Sequence, residues 1–299
     1  MTDNAKNMGT RGWGVRAAVL AAVLSSWSPA MAQPAAVGCR PGQLVRVPGL
    51  PEGSGVAVSR RTPGRVWAHN DSGEGGLVAL NDRGAVTGHV PLPGIKIENW
   101  EALAVGPCPD GSCLFIGDIG DNEARRRQVT VYRFAEPEGS VPPAAADAFH
   151  ATYPDGPQDA EALLVTPKGD LLIVTKGETG AVGLYRFPRD AKPGSASRLE
   201  RVGKPREGGK ASPDDRITDG AISPSGDRIV LRTQRALVFY STTDLLAGTW
   251  REQGRLDLAS LGEPQGEGVT FADNSTLYLV GEGGGKSQPG TFARVTCMF

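Results

Sequence analysis

The sequence predicts an all-β protein folded as a five-bladed β-propeller. Similar segments recur five times at a spacing of about fifty residues, which is the length of one propeller blade. Each segment contains short strands separated by turn residues, and no stretch shows a helical period over about a dozen residues. Five such units nearly exhaust the chain after residue 32, so a six-bladed ring is the less favoured alternative.

Every repeat begins with a short polar or acidic residue and continues as a small-apolar strand. Turn motifs follow, such as Pro167-Lys168-Gly169 and Pro224-Ser225-Gly226. The five opening residues are Ser54, Glu101, Glu161, Asp219 and Glu267.

The second strand of each repeat is a continuous apolar run, such as Leu171–Val174 or Leu277–Val280. Such runs are expected of strands that neighbouring sheets cover on both faces. The third strand alternates more clearly, as in Val129–Phe134, and polar outer strands complete the unit.

The two ends of the chain are predicted to close the ring. The last repeat ends after its third strand at Phe299, and the segment Gln43–Pro48 precedes the first repeat without a partner. Pairing these segments removes an exposed sheet edge. It also places Cys39 beside Cys297, whereas Cys108 and Cys113 flank a turn, so these two disulfides are predicted.

Residues 1–32 have the features of a signal peptide. Lys6, Arg11 and Arg16 precede the apolar segment Ala17–Leu24, and Ala30–Ala32 resembles a cleavage site. Residues 33–299 are then a single propeller domain, periplasmic or secreted, without a transmembrane segment. The net charge of −1 gives no reason to expect nucleic acid, and we expect a monomer.

The starts of the first strands and the ends of the second strands should meet at one mouth of the central channel. Four carboxylates in one channel raise each other's pKa values unless cations compensate, and oxygen ligands suit calcium. We therefore expect a cation, calcium, held by Glu101, Glu161, Asp219 and Glu267. The alternative is structural, because an acid at a strand start can accept hydrogen bonds from amides of the next blade.

Residues at the ends of the second strands are candidates for binding a small ligand. Carboxylates and an amide there supply oxygen atoms, and two basic residues could either bind an anion or pair with the acids. The candidates are Asp71, Asp118, Asp121, Asn122, Lys176 and Arg232.

Several of these motifs resemble a family of uncharacterised secreted bacterial propellers. The resemblance lies in Trp67–Gly73, Gly117–Asn122, Val131–Pro137, Asp159–Leu163 and Thr218–Gly226. It covers nearly all of the mature chain and extends more distantly to phytase-like and NHL-type propellers. The resemblance implies the fold and export but no activity. Asn99 stands where the family pattern has an aspartate.

Three functions follow from these features. We favour a ligand-binding or scaffolding module with an acidic, cation-holding funnel, whose ligand is a small molecule or a protein. The first alternative is a metal-assisted hydrolase of a phosphoester or lactone, with His69 or Glu161 as base and Arg232 steadying developing charge. The second is a protein-interaction platform without chemistry in the channel.

Overall fold

The computed structural model describes residues 38–73, 75–109, 111–285 and 287–299, and the predicted signal peptide lies outside them. Two short strands, β1 (Gly38–Pro41) and β2 (Val45–Val47), precede the repeats. Blade 1 contains β3 (Gly53–Val58), β4 (Arg65–Asn70), β5 (Gly76–Asn81) and β6 (Val86–Pro91). Blade 2 contains β7 (Trp100–Cys108), β8 (Gly111–Asp118), β9 (Val129–Ala135) and β10 (Asp147–Thr152).

Blade 3 contains β11 (Ala160–Val165), β12 (Leu171–Thr175), β13 (Leu184–Arg186) and β15 (Glu200–Arg201). Its outer connection also forms β14 (Ala196–Arg198), which pairs in parallel with β10 of blade 2. Blade 4 contains β16 (Ile217–Ile222), β17 (Arg228–Thr233), β18 (Ala236–Ser241), the short helix α1 (Thr242–Leu246) and β19 (Glu252–Asp257). Blade 5 contains β20 (Gln265–Phe271), β21 (Thr276–Glu282) and β22 (Gly290–Met298).

Within each blade, consecutive strands pair as antiparallel neighbours. The first strands β3, β7, β11, β16 and β20 touch one another in cyclic order around a common axis. The five-bladed β-propeller is thereby confirmed. None of the helices in the described part of the chain has the length and apolar character needed to cross a membrane.

The core consists of five apolar clusters, each between two adjacent blades. The second strand β12 shows how one strand supplies two of them. Leu171 and Ile173 pack toward blade 2, whereas Leu172 and Val174 pack toward blade 4. Because successive side chains of a strand point to opposite faces, a strand between two blades must be apolar at every position.

The N-terminal strands close the ring as predicted. Both β1 and β2 pair antiparallel with β22 of blade 5, and Cys39 lies directly opposite Cys297. Their Cα atoms are 3.9 Å apart, and the disulfide joins positions 258 residues apart. The second predicted disulfide, between Cys108 and Cys113, closes the turn after β7. Both disulfides are therefore confirmed.

Candidate functional site

Each first strand carries an extra residue near its start relative to its partner strand. In blade 2, Trp100 lies opposite Asp118 and Ala102 lies opposite Gly117, so Glu101 is the extra residue. The same shift occurs at Glu161 in blade 3 and around Glu267 in blade 5. Such a bulge turns a side chain out of the regular alternation of the strand.

Blade 4 departs from the predicted register by one residue. Its extra residue is Thr218, and Asp219 lies opposite Arg232 in the regular ladder. A shift of one residue moves a side chain to the other face of a strand. The Asp219 carboxylate accepts a hydrogen bond of 2.8 Å from the Val269 amide of blade 5. Asp219 is thus buried between blades and does not line the cavity that contains Glu101, Glu161 and Glu267.

Hydroxyl groups occupy the extra position in blades 1 and 4. The Thr218 hydroxyl donates to the carbonyl of Glu267 at 2.9 Å. The Ser54 hydroxyl donates to the carbonyl of Glu101 at 2.8 Å. In both cases the hydroxyl of one blade holds the backbone that carries the acid of the next blade.

The strand starts and the ends of the second strands enclose a cavity of about 170 Å³, here called the acidic mouth. Five carboxylates line it, and Lys176 is the one cation among the described lining residues. Four amides and a hydroxyl supply the remaining polar groups. The lining residues are Ser54, Asp71, Asn99, Glu101, Asn122, Glu161, Lys176, Gln234, Gln265, Glu267 and Glu282.

Lys176 pairs with the carboxylates on one side of the acidic mouth. Its ammonium group contacts the Glu161 carboxylate directly and lies 3.6 Å from Asp159 and 3.7 Å from Glu178. It also donates to the Asn122 side-chain oxygen at 3.3 Å. Burial alone would lower the pKa of Lys176, but the carboxylates of Glu161 and Asp159 raise it, so the lysine stays charged.

Blade 5 supplies a neutral bridge on the other side. The Gln265 side-chain amide donates to Glu267 at 2.7 Å and to Glu282 at 2.8 Å. Burial and the nearby charges of Asp71 and Glu52 raise the pKa of Glu282. An amide carries no charge, so it leaves the repulsion among these carboxylates uncompensated.

The three carboxyl groups at the strand starts have elevated pKa values. Burial is the largest cause for Glu101 and Glu161, and repulsion from the Glu267 carboxylate adds to both. Burial also raises the pKa of Glu267 from 4.5 to about 7, although the Gln265 amide opposes the shift. The acidic mouth therefore resists the full negative charge that its residues would carry in water.

The elevated pKa of Glu267 predicts that the protein loses stability as pH rises. The folded state binds the extra proton between pH 4.5 and about 7, so the free energy of unfolding falls across this interval. From Glu267 alone we expect a loss on the order of 3 kcal/mol. Urea denaturation at pH 5 and pH 8 without divalent cations measures it. The Glu267→Gln variant keeps the contributions of the other carboxyl groups but should lose about 3 kcal/mol less than the parent. Equal losses in the two proteins would contradict the prediction.

Arg232 does not reach the acidic mouth. The guanidinium is fully buried between blades 4 and 5, where it donates to the carbonyls of Gly268 at 2.7 Å and Val280 at 2.8 Å. It pairs with Glu263 at 2.6 Å. Arg232 therefore links blades 4 and 5. At the end of the second strand of blade 4, Gln234 lines the acidic mouth instead.

His69 is also enclosed rather than lining the acidic mouth. Its ring is fully buried, packs edge-on against Trp100 and lies 3.0 Å from the Asn70 carbonyl through Nδ1. Burial lowers the pKa of His69 to about 4. Of the two alternative bases predicted for a hydrolase, Glu161 therefore lines the acidic mouth and His69 does not.

The segment Gly117–Asn122 forms a loop that borders the acidic mouth. The Asp118 carboxylate accepts hydrogen bonds from the backbone N–H of Asn99 and from the Arg126 guanidinium, both at 2.9 Å. Asp121 accepts from the Arg126 amide at 2.6 Å. Both predicted ligand-binding acids are thus occupied with holding this loop, and only Asn122 of the segment lines the cavity.

Gly120 in the same loop leaves room for two lining residues. A Cβ atom there would lie 2.0 Å from the side-chain amide nitrogen of Asn99 and 2.4 Å from a Glu101 carboxylate oxygen. Any side chain at position 120 would therefore displace groups of the mouth.

Among the described residues, no three His, Cys, Asp or Glu side chains are arranged to hold a metal ion directly. Glu101, Glu161 and Glu267 share the cavity, but one of them is engaged by Lys176 and another by Gln265. A cation could bind here only with water or amide oxygens completing its shell.

The sequence matches no protein-family model and no curated protein. The fold is similar to the PQQ-bound aldose sugar dehydrogenase of Streptomyces coelicolor, with 12% identity and a TM-score of 0.55 over 89% of this chain and 99% of that one. A glucose dehydrogenase has 11% identity and a TM-score of 0.50, covering 86% and 100%. Virginiamycin B lyase from Staphylococcus aureus has 14% identity and a TM-score of 0.40, covering 85% and 73%.

At identities this low, the likeness establishes the β-propeller fold alone. The resemblance of Gly117–Asn122 and its companion motifs to one secreted family is not supported by these similarities and stays a prediction. Two disulfides are compatible with a secreted or periplasmic protein.

Proposed function

We propose that the protein is an exported binding module whose acidic mouth takes up a small hydrophilic cation. The observation that supports this most directly is the charge balance of the cavity. Five carboxylates line it with one lysine among the described residues. Three of the carboxyl groups have elevated pKa values, and Glu161 and Glu267 among them are buried. A positive ligand would relieve their repulsion and let them ionise.

The size of the cavity limits the ligand. Its volume of about 170 Å³ is below the roughly 300–1,000 Å³ that holds a drug-sized molecule. A hydrated metal ion or a compact ammonium compound fits these limits. Calcium is our first choice, since Asn99, Asn122 and Gln265 add amide oxygens to the carboxylates and the remaining ligands can be water.

Pyrroloquinoline quinone, the cofactor of a similar propeller, does not suit this cavity. The quinone carries three carboxylates, whereas the acidic mouth presents five carboxylates and only Lys176 against them. Repulsion would oppose its binding. We therefore propose no dehydrogenase chemistry at this site.

The cation proposal is tested by titrating the parent and two variants with calcium chloride at pH 8 in a calorimeter. We expect saturable binding by the parent and an affinity at least about tenfold lower for Glu101→Gln and Glu267→Gln, which equals about 1.4 kcal/mol. The exposed Glu200→Gln is the matched control and should bind like the parent. Tetramethylammonium chloride in a parallel titration separates a metal site from an organic-cation site.

Glu267→Gln gives a sharper criterion because its two effects have opposite signs. Without calcium the variant should be more stable than the parent at pH 8, since a neutral amide replaces a disfavoured charge. With saturating calcium the parent should gain more stability than the variant. Absence of heat and of thermal stabilisation with both cations would refute the proposal.

No observation favours the hydrolase alternative. Of its two predicted bases, Glu161 lines the acidic mouth but contacts Lys176, whereas His69 is buried outside the mouth, as is the predicted charge-stabilising Arg232. Location in the periplasm or outside the cell, and a monomeric state, are part of the proposal.

A further inference from the structure

The opposite end of the central channel differs chemically from the acidic mouth. All five first strands contribute to a cavity of about 440 Å³ at their far ends, here called the apolar end. Four residues along a strand such as β7 separate the two ends by about 13 Å. Six apolar side chains are only half-buried there: Val58, Ala104, Val105, Ala221, Ile222 and Ala272.

One charged side chain stands among the described residues that line the apolar end, and it is Arg60. No hydrogen bond or ion pair joins its guanidinium to another described residue. The carboxylate that acts on it is Glu136, which is buried and already accepts from Trp67 at 3.1 Å and Ser112 at 2.8 Å.

Glu136 also fixes the backbone from which Arg60 projects. It accepts from the Ser59 hydroxyl and, at 3.2 Å, from the Arg60 amide. The guanidinium therefore stands at the rim from an anchored position, with its five donors open to a partner.

We propose that the apolar end is a second binding site, which takes an amphipathic anion with its apolar body among the strand ends and its carboxylate or similar group on Arg60. The cavity volume falls within the range usual for small-molecule pockets. Predominantly apolar walls with a few polar groups are the usual composition of such sites. Here Arg60 is the one charged group, beside the hydroxyls of Ser59 and Thr270, and arginine suits carboxylates because it can bind both oxygens. This site is separate from the proposed function of the acidic mouth.

Calorimetric titration of the full chain with decanoate, decanol and decylammonium tests the assignment. We expect decanoate to bind best, decanol about tenfold more weakly and decylammonium more weakly still. Arg60→Gln should lower the decanoate affinity about tenfold and leave the decanol affinity unchanged. Arg61→Gln is the control, because Arg61 pairs with the exposed Glu138 and does not line the cavity.

Two filling variants test the position of the ligand. Ala104→Leu and Ala221→Leu place larger side chains in the apolar end from two different blades. Each should lower the affinity for both decanoate and decanol at least about fivefold. Thermal unfolding establishes whether each variant folds. Because the two substitutions lie in different blades, the test remains possible if one variant does not fold. The proposal is overturned if decanoate does not bind at millimolar concentration, if decanol binds equally well, or if folded filling variants bind like the parent.

Discussion

Replacing Arg232 by methionine is expected to lower the free energy of unfolding by about 3–5 kcal/mol. The substitution removes the cation that faces Glu263 at 2.6 Å and leaves that carboxylate buried without its partner. It also leaves the carbonyls of Gly268 and Val280 without their donors. Urea denaturation at pH 7 measures the loss.

Two companions make the Arg232→Met result specific. Arg235→Met, three residues away and half exposed, should cost less than about 1 kcal/mol because surface ion pairs contribute little. Combining Arg232→Met with Glu263→Leu should recover part of the loss, since the stranded charge disappears with its partner. A loss below about 1 kcal/mol for Arg232→Met would show that this contact does not hold blades 4 and 5 together.

The second large effect is expected from the disulfide between Cys39 and Cys297. Its removal in a Cys39→Ser/Cys297→Ser variant frees a loop that spans 258 positions, and chain entropy predicts a cost of up to about 5 kcal/mol. Removing the disulfide between Cys108 and Cys113, which are five positions apart, should cost about 2 kcal/mol by the same relation.

The two double-serine variants are therefore matched controls for each other. Guanidinium denaturation of all three proteins under non-reducing conditions gives the two losses directly. If the short-loop variant loses as much stability as the long-loop one, ring closure is not what the long disulfide provides.

The repeat pattern predicted the blades, the closing strands and both disulfides because each depends on residue type over many positions. Continuous apolar runs such as Leu171–Val174 follow from burial on both faces, whatever the details of pairing. The pairing of Cys39 with Cys297 required only that the ends of the chain meet in one blade.

The composition of the acidic mouth was predicted less well because it depends on single-residue register. Alignment by acidic residues placed Asp219 with Glu101 and Glu161, whereas the equivalent residue is Thr218. The shared pairs Thr175-Lys176 and Thr233-Gln234 at the ends of two second strands were the available signal for Gln234, and the alignment missed it.

Two amide residues and one further carboxylate of the site were also not predicted. Asn99 and Gln265 line the mouth, and Asp159 pairs with Lys176 behind it, but amides and second carboxylates carry no distinctive spacing. Their contribution appears only once the blades are placed around the axis.

The extra residue near the start of a first strand allows the lining of the channel entrance to change during evolution without a change in the apolar core. In blades 2, 3 and 5 the side chain at that position is released from the alternation that packs the blades, so its identity can vary without altering the core. Three substitutions, at Glu101, Glu161 and Glu267, could change the selectivity of the channel entrance while the scaffold stays intact. The same three positions give an engineer a compact library for new specificities on an unchanged frame.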